Sequence, residues 1–448
     1  MLNPEDARRI VETLVERGTA TGATAADALY AGSRSSSVQV RLGELDNVSR
    51  SESEEVGLRL FAGQRSATAA TSDLSDDALG VLVERCLAMA KEAPEDPFAG
   101  LAPEELLELG PLSDLDSEDR HEPDPSELRA RALEAEAEAL GIAGVTNSNG
   151  TSASASASTV ALATSGGFSG SYRTSGHGCT AVVVAGEGSS MQRDYAGHSA
   201  RHLEDLEPAV EIGRKAGTRA VARLNPRRPK PGKYPVLFDP RVSLTLLGHF
   251  AGAISGSAIA RKTSFLRDKL NAPVFAPGIG IIDDPLRARG LRSHPFDGEG
   301  VRVSRRELVS NGALASWLAE AASARQLGIQ PTGHAARGVG GAPGSSPSNL
   351  YLAAGSRSRE QLLATVPEAV LIIELIGQGV NGVTGDYSRG AVGFMVRNGE
   401  IAEPVAEITI AGNLVEMFAT LEPASDLEFR RGIDAPTVLI PEMTVASA

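Results

Sequence analysis

A chain of 448 residues with 42% hydrophobic and 22% charged residues has the length for two or three domains and the balance of an ordinary globular protein. Its formal net charge of −14 argues against nucleic acid and anionic membrane as partners, since both need a positive footprint. Two cysteines, Cys86 and Cys179, exclude a disulfide framework and a cysteine-rich zinc module; with no signal-peptide pattern and no membrane-length apolar run, the expected compartment is the cytoplasm.

Asn3-Pro4-Glu5-Asp6 opens a first helix, with a capping residue, proline in the first turn and acids at the positive helix end. The period then changes to two. Val38, Val40 and Leu42, and later Val56, Leu58 and Leu60, are the buried sides of half-buried strands in an antiparallel sheet. Ser75 caps a second helix, which places Cys86 in the core. The acidic run from Pro111 to Pro125 reads as an exposed loop or an acidic docking surface, and a third helix follows Asp124-Pro125 as far as Leu140. Ser/Ala alternation from Thr151 marks a tightly packed strand, Tyr172–Ala185 a strand pair, and Pro208–Leu224 a fourth helix.

The prolines between Asn225 and Pro235 exclude regular structure there. They divide the chain into a first domain over 1–224, a linker over 225–235 and a second domain over 236–448. The second domain opens with the strand Tyr234–Phe238 and a helix capped by Asp239, with Leu244, Leu247, Ala251, Ile254 and Ala258 on one face. A strand over Gly278–Asp283 follows, then a helix over Ala313–Leu327 ended by Gly328 and a Gly/Pro/Ser-rich stretch over 331–349. The strand Leu371–Ile376, a hairpin at Asn398-Gly399, a short helix near Leu414 and a last strand over Thr437–Pro441 complete it. Without regular βαβ alternation both domains read as α+β: an N-terminal antiparallel sheet flanked by helices, and a C-terminal β-rich, barrel- or sandwich-like domain with a few helices.

Three motifs invite a chemical reading. Gly377, Gly379 and Gly382 have dinucleotide-loop spacing after an apolar strand, but the glycines at 385, 390 and 393 leave no helix to hold a pyrophosphate. A loop that brings backbone close to another chain or to a peptide fits better. His198 and His202 would share a face on a helix, yet Ser199 stands where a zinc-protease motif has glutamate, and two surface histidines are the plainer reading. His249 lies mid-helix among small residues, either as a structural histidine or where another chain approaches.

Longer segments are more specific. ELIGQGVNGVTGDYSRGAVGFMVRNGEI and EPVAEITIAGNL resemble the signature of the TldD/PmbA family, once called modulators of DNA gyrase. SHPFDGEGV, LVSNGAL, TGHAAR, SNG at 148–150, GSYRTSGH, MQRDY and EEVGLRLFAG are similar to that family too, so the resemblance spans essentially the whole chain.

The resemblance implies a cytoplasmic proteolytic system of two homologous subunits that enclose a cavity and degrade unfolded proteins or process leader peptides. One branch carries a metal-binding His-Glu-x-x-x-His on a helix and a later cysteine; this chain has Gly248, His249 and Ala253 at those places and no cysteine after Cys179. Glycine and alanine offer zinc no lone pair, and His249 cannot act as the carboxylate base. The chain therefore resembles the PmbA (TldE) branch, with no catalytic residue and no metal or other cofactor of its own. Zinc is expected in a TldD-type partner, with which this subunit would form a heterodimer; alone it could pair with itself. The candidate peptide-binding residues are His249, Asn381, Gly382, Asp386, Tyr387 and Arg389, helped by strand addition from Gly-rich backbone and edge strands. Asp386, Tyr387 and Arg389 either orient the peptide or lock the turn through an Asp386–Arg389 ion pair. Two alternatives stay open: an independent metallopeptidase with other ligands, such as His249 with His198 or His202, and a regulator binding gyrase or a toxin–antitoxin protein.

Overall fold

The structure, a computed structural model, describes residues 1–447. Its first half is a six-stranded antiparallel sheet in the order β3-β2-β1-β4-β5-β6. Helix α1 (Pro4–Ala20) precedes β1 (Ala25–Arg41), β2 (Glu44–Ala62) and β3 (Arg65–Thr71). Then come α2 (Asp76–Glu92), α3 (Pro125–Leu140), β4 (Val145–Thr164), β5 (Ser169–Ala185), β6 (Gln192–Ala200) and α4 (Ala209–Ala222). Asn3 caps α1, and Asp124 with Glu127 forms a capping box on α3. Strand alternation decides what each face meets. Ala28, Tyr30, Leu58 and Ala161 face Leu14, Leu82 and Cys86 of α1 and α2, while Cys179, Ala181 and Ala196 face Ala135 and Ile212 of α3 and α4. All four helices thus cover one face. The opposite face, with Leu29, Leu162 and Phe168, receives Phe296, Val301 and Ala321 of the second half.

The second half contains a closed barrel. After β7 (Gly232–Phe238), α5 (Pro240–Ala253) and α6 (Gly256–Ala260), short strands β8 (Ile281–Asp283), β9 (Arg306–Ser310) and β10 (Ala313–Leu314) lead to α7 (Ala321–Leu327). Strands β11 (Ala335–Ala336), β12 (Gly344–Ser345) and β13 (Leu350–Leu352) and helix α8 (Arg359–Leu363) follow. The chain then runs through β14 (Glu368–Ile376), β15 (Asp386–Arg397), β16 (Glu400–Asn413), α9 (Leu414–Thr420), β17 (Glu422–Pro423), β18 (Ile433–Asp434) and β19 (Val438–Ser447). Pairing in the order β16-β15-β14-β7-β19 is closed by β16 on β19, from Ile408↔Ser447 to Ala411↔Thr444. The parallel contact is β7 with β14, Val236↔Val370 to Phe238↔Ile372. Val236, Phe238, Ile372, Met395, Ile410 and Ile440 fill the inside together with α5, whereas Leu237, Leu371 and Leu439 face outward under α8.

Four local expectations are corrected. Tyr172–Ala185 is one continuous strand against β4, because Gly176 and Gly178 let it lie flat over Ser156 and Ser154. Strand β7 starts at Gly232, inside the Pro-rich segment; Pro235 is tolerated at a register shift and beyond the β14 ladder, where its missing N–H is not needed. The helix expected to carry its apolar stripe as far as Ala258 ends at Ala253, and Ser255 caps a separate helix, α6, although Ile254 and Ile259 stay in the same core. No helix runs over Ala313–Leu327: Asn311 and Gly312, both at positive φ, turn β9 into β10, and only α7 is helical, capped by Glu320. Leu314, Trp317 and Leu318 repeat at helical spacing because that irregular segment is buried, with Leu318 N–H on Ile254 O at 3.0 Å and Leu314 N–H on Ala272 O at 3.0 Å.

Buried charge welds the two halves together. Asp27 accepts from Arg59 Nε at 2.7 Å and from Arg337, while Arg59 also lies 3.5 Å from Glu299. Burial by itself would raise the Asp27 carboxyl, but the two guanidiniums outweigh it and hold it below the usual carboxylate range. Gly57 sits so close to Val339 that a Cβ would overlap the Val339 carbonyl. Beside this network Asp297 accepts backbone N–H groups of Glu299 (2.9 Å), Val301 (2.9 Å) and Ala335 (3.0 Å); burial and the neighbouring Glu299 push it to about 7. At the other end of the junction Asp194 binds Arg241 at 2.8 Å, and Arg223 bridges Asp194 (3.5 Å) to Glu374 (2.7 Å). Removing one partner from such a network leaves uncompensated buried charge. Asp27→Asn is expected to lower the unfolding free energy by about 3 kcal/mol or more in chemical denaturation, whereas Glu442→Gln, in the exposed pair with Lys233, leaves the midpoint unchanged.

Candidate functional site

The N-terminus of α5 is fixed twice: Asp239 accepts from Arg241 N–H at 3.0 Å and donates its own N–H to Ile372 O at 2.9 Å, tying the helix to β14. Val242, Leu246, Leu247, Phe250 and Ala251 are buried, with the Phe250 ring edge-on to Phe275 at 5.3 Å. That packing sets the helix rotation. Gly248 and Gly252 face outward, with no heavy atom within 4 Å of a Cβ built on either. Ala253 points into the apolar core, and His249 lies half-buried between the two faces.

These three places do not fit a zinc site. Gly248 and Ala253 have no donor atoms, and one imidazole alone does not hold the metal. Among the described residues no three His, Cys, Asp or Glu side chains converge as a metal cage. His198 lies on β6, an extended strand, where its Nδ1 accepts the Glu207 N–H at 3.0 Å; His202 Nε2 lies 2.9 Å from the Asp116 carbonyl oxygen. The structure groups neither with His249.

What stands against His249 comes from β15. Residues two apart on a strand share a face, so Tyr387 and Arg389 point inward and Asp386 and Ser388 outward. The rings of His249 and Tyr387 meet edge to face at 6.0 Å. The Tyr387 hydroxyl and His249 Nε2 are both buried and have no hydrogen-bond partner. Arg389 is buried, with Nε 3.4 Å from Ile376 O. The Asp386–Arg389 ion pair is therefore corrected: three residues apart, the two side chains leave opposite faces. Asp386 instead accepts from Thr384 Oγ at 2.6 Å and Asn413 Nδ2 at 3.2 Å, and Asn413, at the end of the signature segment, had no chemical signal in the sequence.

The loop before β15 is folded onto itself. Asn381 Oδ1 accepts the N–H groups of Val383 (2.9 Å) and Thr384 (3.3 Å), and Asn381 N–H donates to Asp386 O at 2.8 Å. Gly382 stays exposed while its carbonyl accepts from Phe265 N–H at 3.1 Å. Barrel closure leaves β14, β15 and β16 without a free edge along their shared ladders, so strand addition has no place there, and the exposed backbone lies in the loop before β15.

Burial, and then the charge of Arg389, lower the pKa of His249, and burial raises that of the Tyr387 hydroxyl. At neutral pH the cluster offers an imidazole, a phenol and a guanidinium, and no carboxylate stands among the three. Such a set is suited to holding a carbonyl or carboxylate of a bound chain.

Comparison with known proteins covers both halves. Family models described as PmbA/TldA metallopeptidase domain 1, central domain and C-terminal domain match residues 26–90, 118–224 and 231–447. The metalloprotease PmbA of Escherichia coli O157:H7 is 37% identical over 412 residues, covering 92% of this chain and 89% of that one. The crystal structure of a candidate modulator of DNA gyrase from Bacteroides thetaiotaomicron superposes with a TM-score of 0.92 at 24% identity over 100% of both chains. TldE from Thermococcus kodakarensis superposes at 0.87 and 20% identity, over 98% of this chain and 100% of that one. At these identities the two superpositions show the fold.

His249 gives a direct test of the site's electrostatics. Its native state favours the neutral imidazole, so this contribution to stability is complete above the ordinary value of 6.5 and is lost as pH falls below it. The His249 Hε1 resonance, assigned by its loss in His249→Gln, is expected to titrate below 6.5, and Arg389→Gln to move the midpoint upward.

Proposed function

Because the chain belongs to the PmbA/TldD metallopeptidase family, we propose that it is the non-metal, TldE-like subunit of a two-subunit metalloprotease acting in the cytoplasm on unfolded proteins or leader peptides. The observation that carries this reading is the state of α5: the helix is complete and firmly packed, yet glycine, histidine and alanine stand at 248, 249 and 253. In this reading zinc and the base that activates water belong to a TldD-type partner. This chain contributes one wall of a shared cavity and grips the peptide backbone. Arg389 and the Tyr387 hydroxyl orient a carbonyl or carboxylate, His249 donates beside them, and Asn381, Gly382 and Asp386 shape the exposed loop against which the peptide lies. The small residues Gly248 and Gly252 leave room for another chain beside the helix. Without the partner the chain does not hydrolyse peptides.

A second reading, a regulator that binds gyrase, has in its favour the description carried by the Bacteroides relative. The two separate experimentally. The chain is purified alone and with its TldD-type partner, zinc is measured, and hydrolysis of an unfolded peptide is followed. The expected result is no stoichiometric zinc and no hydrolysis alone, and hydrolysis by the pair; zinc and hydrolysis by the single chain would overturn the proposal. Failure to associate with the partner, combined with capture of gyrase, would favour the regulator. In the assembled protease Arg389→Gln is expected to raise KM about tenfold at similar kcat, the pattern of lost uniform binding.

A further inference from the structure

A cleft of about 330 Å³ opens where the two halves meet, between residues 198–205 on one side and 287–291 and 429–434 on the other. In a chain with a net charge of −14 its lining is basic: Arg201, Arg287, Arg289, Arg430 and Arg431 stand against two carboxylates, Asp205 and Asp434. Part of this charge is already matched. Arg289 binds Asp116 (2.5 Å), Glu204 (2.6 Å) and Asp205 (3.0 Å), and Arg430 binds Glu207 (2.5 Å). Asp434 is occupied by the backbone N–H groups of Arg430 (3.0 Å), Arg431 (3.0 Å) and Gly432 (3.1 Å).

Three guanidiniums remain without any ion-pair partner among the described residues. Arg201 donates only to carbonyl oxygens, of Ser175 at 2.8 Å, Leu291 at 2.5 Å and Gly290 at 3.3 Å, and burial lowers its pKa. Arg287 lies 3.4 Å over the Phe429 ring. The Arg431 guanidinium makes no hydrogen bond among the described residues, and the residue is exposed at the rim. His198 adds a donor: its Nδ1 accepts the Glu207 N–H, which puts the ring proton on Nε2.

Three like charges around one small cleft repel each other until an anion enters, and the guanidinium fork matches phosphate and carboxylate bidentately. We propose that this cleft binds a small molecule carrying two or more oxyanion groups, phosphate or carboxylate, held by Arg201, Arg287 and Arg431. The overall negative charge disfavours nucleic acid, and the volume suits a small molecule. Since the walls come from both halves, the ligand also braces their junction and raises the unfolding temperature by mass action. The assignment is independent of the protease reading.

The test is calorimetric titration of the full chain with pyrophosphate and, in parallel, with citrate at matched ionic strength. One ligand per chain with a Kd below about 1 mM is expected. Arg287→Gln with Arg431→Gln should weaken binding about tenfold, while the ligand-free unfolding temperature stays or rises as repulsion is relieved. If the double variant does not fold, Arg431→Gln alone, at the exposed rim, keeps the comparison. Binding of pyrophosphate only, or citrate only, supports the site and names its chemistry. Heats no larger than those of a sodium chloride control, or an unchanged affinity in the variant, overturn it.

Discussion

One aspartate sets the geometry on which the rest of the molecule depends. Asp27, on the central strand of the first sheet, is shared by Arg59 of the neighbouring strand and Arg337 of the glycine-rich stretch in the second half. A buried ion group of this kind adds little net stability over an apolar contact, but a displaced register leaves two guanidiniums unpaired, so it specifies one docking position against others. Gly57 and Val339 make the same demand sterically, because only a residue without Cβ admits that backbone approach. Docking in that position orients the barrel, and with it α5 and β15, relative to the helices of the first half.

The barrel then determines what α5 can be. Closure removes free edges and drives one side of the helix into the apolar interior, which turns Gly248 and Gly252 outward and holds His249 against Tyr387. The resulting cluster contains a neutral imidazole, a phenol and a guanidinium but no carboxylate. The division of labour proposed for the two subunits is an extension of that chemistry: a wall that holds a peptide is useful only beside a wall that cuts it.

Several motifs behind the family resemblance have structural roles at the junction. GLRLF supplies Gly57 and Arg59, SHPFDGEGV supplies Glu299 with Asp297 beside it, TGHAAR supplies Arg337, and MQRDY supplies Asp194. Asp283 shows the same logic inside the second half, accepting from Ser348 N–H at 2.7 Å and Ser348 Oγ at 2.6 Å, with His334 at 3.3 Å. Buried carboxylates with fixed donors restrict substitution whether or not they touch substrate, which is why long motifs here identified the fold more securely than the chemistry.

What the sequence determined by itself is local or compositional. Caps at Asn3, Ser75, Asp124 and Asp239, the Ser/Ala strand after Thr151 and the Asn398-Gly399 hairpin are written in residues that touch their own neighbours, and each formed where its pattern placed it. The absence of ligating atoms at 248 and 253 was equally legible, because side-chain chemistry needs no fold. Where burial came from distant segments the pattern misled: Leu314–Leu318 repeated like a helix inside an irregular buried segment, and the Asp386–Arg389 pair ignored strand parity. Only the tertiary structure brought His249 to Tyr387, Asp27 to Arg337, and Arg201 to Arg287 and Arg431, since each meeting depends on how sheet, barrel and junction pack, and that is set by burial and charge compensation over the whole chain rather than by spacing along it.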